Sequence, residues 1–542
     1  VRILYRMAIV MKHKKGVCCL LLSFLLLCLC GACGDGYKND GTFTYLLARN
    51  VDNLDPQTAS GESAWVVIGS VFEGLCRIDE DGQVVPGVAK KWEANYDDTE
   101  FTFYLRGGAK WSDGTPVTAD DFVFAMQRAL RPETATPSVD DLFILRGARE
   151  VYNKEIPESS LGVFAKDELT LVVQLEKSYA DFPALTAGSH YMPCNRAYFE
   201  ESAGHYGLSS EYLITNGPFT FTNRYSWVTE SGKRAISLSR SESYKGPHEV
   251  RPASLQFLID YDPALLENPV ESLASGQADI LTLSQSLAEQ AEAQGCHVQV
   301  LDDAVTGLLL NPRAQSLEEP VVREMFLKTL DRQSLLDRRR DKEAQEAMGI
   351  MPSCVVWNTS SYYADGARLY AQQDDTVLER LPSLLEMLEQ EKLPSISVLC
   401  PDDPESVDIA NGFLVSWNQK LGNAFNIQPL PEEEMKSRVA SGDYEAALYT
   451  LRAGGTTPYQ VLKSFESTSY PSLLEDEEFD AQLHSLTFEL SSYRRLENYL
   501  LESYIFYPLF SDKTYYAAGP GTRGIAASPD LSVNFITARK KG

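Results

Sequence analysis

The strongest constraint on the fold lies in the last third of the chain, where strand and helix patterns alternate. Residues 396–399 form a short apolar run, and 407–421 place Ile409, Phe413 and Trp417 on one helical face. Residues 426–430 read as a second strand, 432–441 as a second helix and 446–451 as a third, apolar strand. A β-α-β-α-β run with helices of this length favours a parallel or mixed sheet covered on both faces. Further strands are expected at 43–47, 169–175 and 235–238, separated by glycine, proline and polar turns, with no internal repeat or low-complexity tract. The fold class is therefore α/β, mixed α+β. A chain of 542 residues exceeds one hydrophobic core, so more than one domain is expected.

Residues 101–130 follow as strand, turn and helix without a gap. Phe101, Phe103 and Leu105 alternate with Thr102, Tyr104 and Arg106, Gly107 and Gly108 permit a turn, and a second turn follows at Asp113 and Gly114. Thr118 stands three residues before Asp121, so its hydroxyl can cap a helix whose first turn also carries Asp120. Phe122, Ala125, Met126 and Ala129 line one face of that helix. Trp111, Asp113 and Gly114 are expected to fix the turn.

These residues also carry a resemblance. Taken with FEGL at 72–75, PGVAKKW at 86–92, WSDGTPVTADDF at 111–122, NGPF at 216–219, SGQAD at 275–279, the stretch 311–331 and GDY at 442–444, the chain resembles the solute-binding proteins of oligopeptide and dipeptide ABC importers. The resemblance covers nearly all of the chain after residue 41. It implies a two-lobed periplasmic-binding-protein-like fold of type II with an extra inserted domain. Carried over, the core lobe combines 42–72, 197–304 and 511–542, an α+β domain is inserted at 73–196, and the second lobe spans 305–510. It further implies a monomeric protein, without cofactor or catalysis, that captures a solute, foremost a short peptide, between the lobes. Delivery would be to the permease subunits of an ABC transporter, with a separate ATPase driving uptake.

The N-terminal segment reads as a processing signal. Lys12, Lys14 and Lys15 precede an apolar run at 17–30, the length of a signal-peptide core and short for a membrane span, with Met11 as the expected start. Small residues then precede a cysteine in Leu29-Cys30-Gly31-Ala32-Cys33, as in a bacterial lipoprotein cleavage site, although Cys30 stands where an aliphatic residue is usual. Residues 1–32 are thus expected to be leader and lipoprotein signal peptide, Cys33 the lipidated residue and 33–41 a tether. The mature chain would be held by its lipid anchor alone on the extracytoplasmic face of the cell membrane. Loss of 1–32 removes five basic residues (Arg2, Arg6, Lys12, Lys14, Lys15) and no acids, so 49 basic against 76 acidic residues become 44 against 76. A surface that acidic repels nucleic acid.

Catalytic and metal motifs are missing: there is no H-E-x-x-H, G-x-S-x-G, P-loop or paired Cys-x-x-Cys, and the six histidines are scattered. Five cysteines follow Cys33 (Cys76, Cys194, Cys296, Cys354, Cys400), odd in number and widely spaced, so most are expected to be small buried side chains, with one bridged pair permitted. The ligand candidates centre on Arg452, Gly454, Gly455 and Thr456, directly after an expected strand, where glycines let backbone approach a ligand. In peptide-binding relatives this loop carries an acid that pairs with the peptide's amino terminus; the corresponding position here is Gly454. No carboxylate lies between Arg452 and Phe465, so either another acid takes over or the ligand is not held by a free amine. Arg452 could instead clamp an anion or form an internal salt bridge. Trp417, Trp65 and Tyr459 are candidate apolar walls, with ordinary core packing as the alternative for each. Asn311 follows the strand at 307–310, whose backbone in relatives can pair with an extended ligand, so the resemblance makes it a further candidate. A non-peptide solute such as an oligosaccharide or metal chelate, or a surface sensor or enzyme on the same fold, stays open.

Overall fold

The computed structural model describes residues 41–541 together with Tyr37–Lys38, apart from 80–82, 138, 342–343, 358–359, 370–372, 423–424, 468, 470–472, 488 and 530–531. The leader, Cys33 and most of the proposed tether lie outside the described residues.

Ser397–Pro401, Asn426–Leu430 and Ala446–Arg452 pair in parallel with Ser397–Pro401 in the middle, and Pro404–Leu421 and Glu432–Ala440 are the crossovers. The first helix begins at Pro404 rather than 407 because Asp403 caps it. The Asp403 carboxylate accepts from the amides of Glu405 (3.0 Å) and Ser406 (3.1 Å), and Pro404 takes the first helical position. The two helices cover opposite faces: Ile409, Phe413 and Trp417 join a buried cluster with Val398, Cys400 and Leu448. Met435 and Val439 join another with Leu399, Ala447 and Tyr449. Successive strand residues feed alternate clusters, as the two-residue period requires.

Two long antiparallel strands carry this sheet into the rest of the molecule. His297–Leu310 and Phe506–Ala518 pair along their length, with a register shift between Leu301 and Ala304 and a second one farther on, between Thr306 and Gly307. Beyond the shift, residues 304–310 pair with Ala446–Arg452. On its other side, Ile280–Leu283 pairs with residues 515–518, and the sheet continues through Thr42–Leu46, Ser254–Leu258 and Ala235–Arg240 to a total of 11 strands. Asp302 and Asp303 fall out of the ladder at the shift, and their carbonyls accept instead from the amides of Cys354 (3.1 Å) and Ala453 (2.8 Å). The sequence pattern showed strand only at 307–310, because these two acids interrupt the apolar run of what is a 14-residue strand.

Residues 101–130 fold as their pattern implies. Glu100–Leu105 buries Phe101, Phe103 and Leu105 and lies inside a four-stranded antiparallel sheet with Ala89–Ala94, Thr170–Gln174 and Val163–Asp167. Ala119–Ala129 has the full capping box of Thr118 and Asp121. Asp121 Oδ2 also accepts from the indole of fully buried Trp111 (3.3 Å), and burial pushes its carboxyl up to about 6. Asp113 accepts from the Thr115 amide (2.9 Å) and closes the turn in which Gly114 has φ 90°. The five described cysteines are all free; four are buried and Cys354 is partly exposed. Among the described residues no helix is long and apolar enough to cross a membrane.

Glu497 is a buried acid with a pH signature. Its Oε1 accepts from the amide of Ile350 (3.0 Å) and from the Tyr363 hydroxyl, while Oε2 has no partner among the described residues. Burial pushes its carboxyl up to about 7. A carboxyl whose pKa rises on folding holds its proton more tightly in the native state, so its contribution is complete below its unfolded pKa and is lost as pH rises through the folded one. Urea titrations should therefore show Glu497→Gln gaining on the wild type by ~2 kcal/mol between pH 5 and pH 8. A difference that does not change with pH would contradict this.

Candidate functional site

The site is built where Ala446–Arg452 ends, beside the register shift of the two long strands. Helix Pro458–Lys463 follows closely, capped reciprocally by Thr457 and Gln460, so only four residues, 453–456, are left as loop. A Cβ on Gly455 would lie 1.9 Å from Gln460 Oε1, so glycine is what lets the capping glutamine fold beneath the loop. Gly454 has φ 63°, and a Cβ there would meet nothing within 4 Å. Thr456 accepts the amide of Val356 on its carbonyl (3.0 Å), which fixes the loop against the 352–357 segment.

Arg452 joins three parts of the chain. Its Nη2 donates to the Tyr516 hydroxyl and lies 3.4 Å from Asp303 Oδ2, and its Nη1 lies 3.7 Å from Glu62 Oε1 at the start of helix Glu62–Val71. Burial works against its charge, but Tyr516, Glu62 and Asp303 together hold its pKa above the ordinary value. Burial also pushes the Tyr516 hydroxyl up to about 12. Asp303 is fully buried, and its Oδ1 has no partner among the described residues; the same holds for Arg452 Nε and Trp65 Nε1. Trp65 lies on the same helix as Glu62, three residues on and so on the same side.

Other contacts join the segments 149–179 and 357–493. Lys177 Nζ lies 2.7 Å from Glu489 Oε1, Arg149 Nη1 donates to the carbonyl of His484 (2.7 Å), and Trp357 packs between Tyr179 (5.8 Å) and Tyr493 (5.2 Å). In each case a residue of 149–179 meets one of 357–493.

The structure thus brings together Arg452, Gly454, Gly455 and Thr456, with Trp65 on the helix that carries Glu62. It does not bring the other candidates there. Trp417 is wholly buried in the cluster on one face of the sheet, with its indole donating to the carbonyl of Phe326 (2.9 Å) and its ring against Phe326, Phe413 and Phe425. Tyr459 is 4% exposed and packs in the cluster on the other face. Asn311 follows the far end of its strand: Nδ2 donates to the carbonyls of Tyr444 (2.8 Å) and Gly442 (3.2 Å), and its amide donates to that of Glu445 (2.8 Å). Glu445 precedes the strand that Arg452 ends, so the rise of an extended chain puts Asn311 about 20 Å from the loop. A surface cavity of about 260 Å³ opens there, lined by Asn311, Arg313, Arg438, Asp443 and Glu445 among others. Its guanidinium groups are already paired, Arg313 with Glu475 and Arg438 with Asp443 (2.9 Å). Sequence reasoning missed Glu62, Asp303 and Tyr516. The one available signal was the pair Asp302-Asp303 inside an otherwise apolar strand.

Comparison with known proteins agrees with this architecture. A family model described as bacterial extracellular solute-binding proteins, family 5, middle, matches residues 83–472. The oligopeptide-binding protein OppA of Bacillus subtilis is 28% identical over 433 residues, 76% of each chain. The dipeptide-binding protein DppE of the same organism is 24% identical over 379 residues, 69% of this chain and 67% of the relative. Among solved structures, the substrate-binding domain of an oligopeptide ABC transporter from Bacillus anthracis superposes with a TM-score of 0.69 at 22% identity, covering 93% of this chain and 99% of the other. OppA of Listeria monocytogenes, solved with bound peptide, gives 0.70 at 18% identity over 93% and 99%. The fold is that of these two-lobed proteins, and the chain belongs to the bacterial extracellular solute-binding proteins of family 5.

Proposed function

We propose that this protein captures a short peptide in the cleft between its lobes and presents it to the permease of an ABC importer. One observation carries the peptide site. The 453–456 loop from one side and the Glu62–Val71 helix from the other meet over the register shift of the only two strands that cross between the halves, among the described residues. A shift in pairing at that point is a natural hinge, so closing the halves around a ligand needs only local backbone change. The lobe division that follows is 42–72 with 197–304 and 511–542 for the core lobe, 73–196 for the inserted domain and 305–510 for the second lobe. The protein acts by binding alone, as a monomer.

Purification of the mature protein from its own cells, followed by mass spectrometry of released small molecules, tests the cargo. Short peptides are expected, and their return should raise the melting temperature. Recovery of sugars or metal chelates in place of peptides would overturn the reading. On the sequence of the leader we also propose that Cys33 carries a lipid anchor on the extracytoplasmic face of the membrane. Cys33→Ser should move the protein from the membrane fraction to the soluble one, and continued membrane retention would contradict the anchor.

A further inference from the structure

We infer that Glu62, on the helix of the core lobe, is the counter-charge for a ligand ammonium group. This rests on the peptide reading above. The 453–456 loop has no acid of its own, and Arg452 enters the same junction as a cation. Two carboxylates face that one guanidinium, Asp303 at 3.4 Å and Glu62 at 3.7 Å, leaving one negative charge in excess. Their settings divide the work. The Asp303 side chain is 0% exposed and sits at the strand shift itself, where its carbonyl accepts from the amide of Ala453, the residue after Arg452, so it cancels the arginine within the fold. The Glu62 side chain is 44% exposed and comes from across the cleft, so its charge is the one a ligand can meet.

Two unpartnered atoms point to what fits. Among the described residues, Asp303 Oδ1 is a buried acceptor without a donor, and Trp65 Nε1 is a buried donor without an acceptor. Leaving such groups unpaired costs enough that a partner in the working complex is the expected resolution. The amino-terminal residue of a peptide carries both complements: its ammonium donates to carboxylate oxygens, and its carbonyl accepts from an indole. The open space at Gly454, two residues beyond Arg452, leaves room for the chain to pass. The specificity that follows is for ligands with a free primary ammonium, set by an acid on the core lobe.

The test uses the full mature protein and a tri- to pentapeptide library of random sequence, offered with free and with acetylated amino termini. Wild type should retain the free library in preference to the acetylated one. Glu62→Gln should weaken retention of free peptides by about 10- to 100-fold, the value of a hydrogen-bonded charge, and leave acetylated ones unchanged. In the Glu62→Gln background, Gly454→Asp should restore much of the loss, because aspartate tolerates a left-handed φ and meets open space. If Glu62→Gln leaves retention of free peptides unchanged, or weakens both libraries alike, the assignment to Glu62 is overturned while peptide binding stands. If wild type retains neither library, both fall.

Discussion

Replacing Arg128 by alanine should destabilise the protein by about 3–5 kcal/mol, among the largest losses a single substitution here can cause. Arg128 lies on the helix Ala119–Ala129 and donates to both oxygens of Asp55 (2.7 and 2.5 Å), with side-chain exposures of only 3% and 5%. It also donates to the side chain of Gln57, and its guanidinium stacks 4.5 Å from the centroid of Phe199. Truncation strands Asp55 as an unpaired charge in a dry site, and that stranding, more than the pair's net worth, sets the size of the effect. The loss should appear as a lower urea midpoint. Because Asp55 and Arg128 share no partner with Arg452, Glu62 or Asp303, peptide affinity measured well below the midpoint should hold. Replacing both Asp55 and Arg128 by apolar residues of similar volume should cost much less than Arg128→Ala alone, and equal losses would contradict the argument.

Trp417→Ala should cost a similar amount, about 3–5 kcal/mol, for a different reason: it empties the centre of a cluster of three aromatic rings and removes one of the donors to the carbonyl of Phe326. Trp417→Phe should recover much of that stability but not the indole hydrogen bond. Peptide affinity of both variants, measured below their unfolding transitions, should stay within about two-fold of wild type. Were Trp417 a cleft wall, the alanine variant would lose affinity while keeping its stability. Calorimetric titration beside a thermal melt separates the two outcomes.

Local structure was legible wherever a few neighbouring residues decide it. The capping box at Thr118 and Asp121, the turn at Asp113 and Gly114 and the β-α-β-α-β unit all rest on such short patterns. The full length of the strand His297–Leu310 was not, because two acids at its register shift interrupt the apolar period. The site was half legible: glycines after a strand marked the loop, but Glu62 and Asp303 reach Arg452 only through folding, across sequence separations that no motif spans. Trp417 and Asn311 misled for one shared reason. An aromatic ring on a helix face and an asparagine at a strand end serve a core or a turn as well as a ligand, and only packing tells which.

The central claim is that ligand binding closes two lobes about the strand shift at Leu301 and Ala304. Spin labels at Tyr225 and Met387, both exposed and on opposite sides of that hinge, report it directly by pulsed electron resonance in a Cys354→Ser background. With the released native ligand added back, the account predicts one narrow distance distribution, and without it a broader one shifted to longer distances. Identical distributions in both states, with binding confirmed in the same sample, would contradict it.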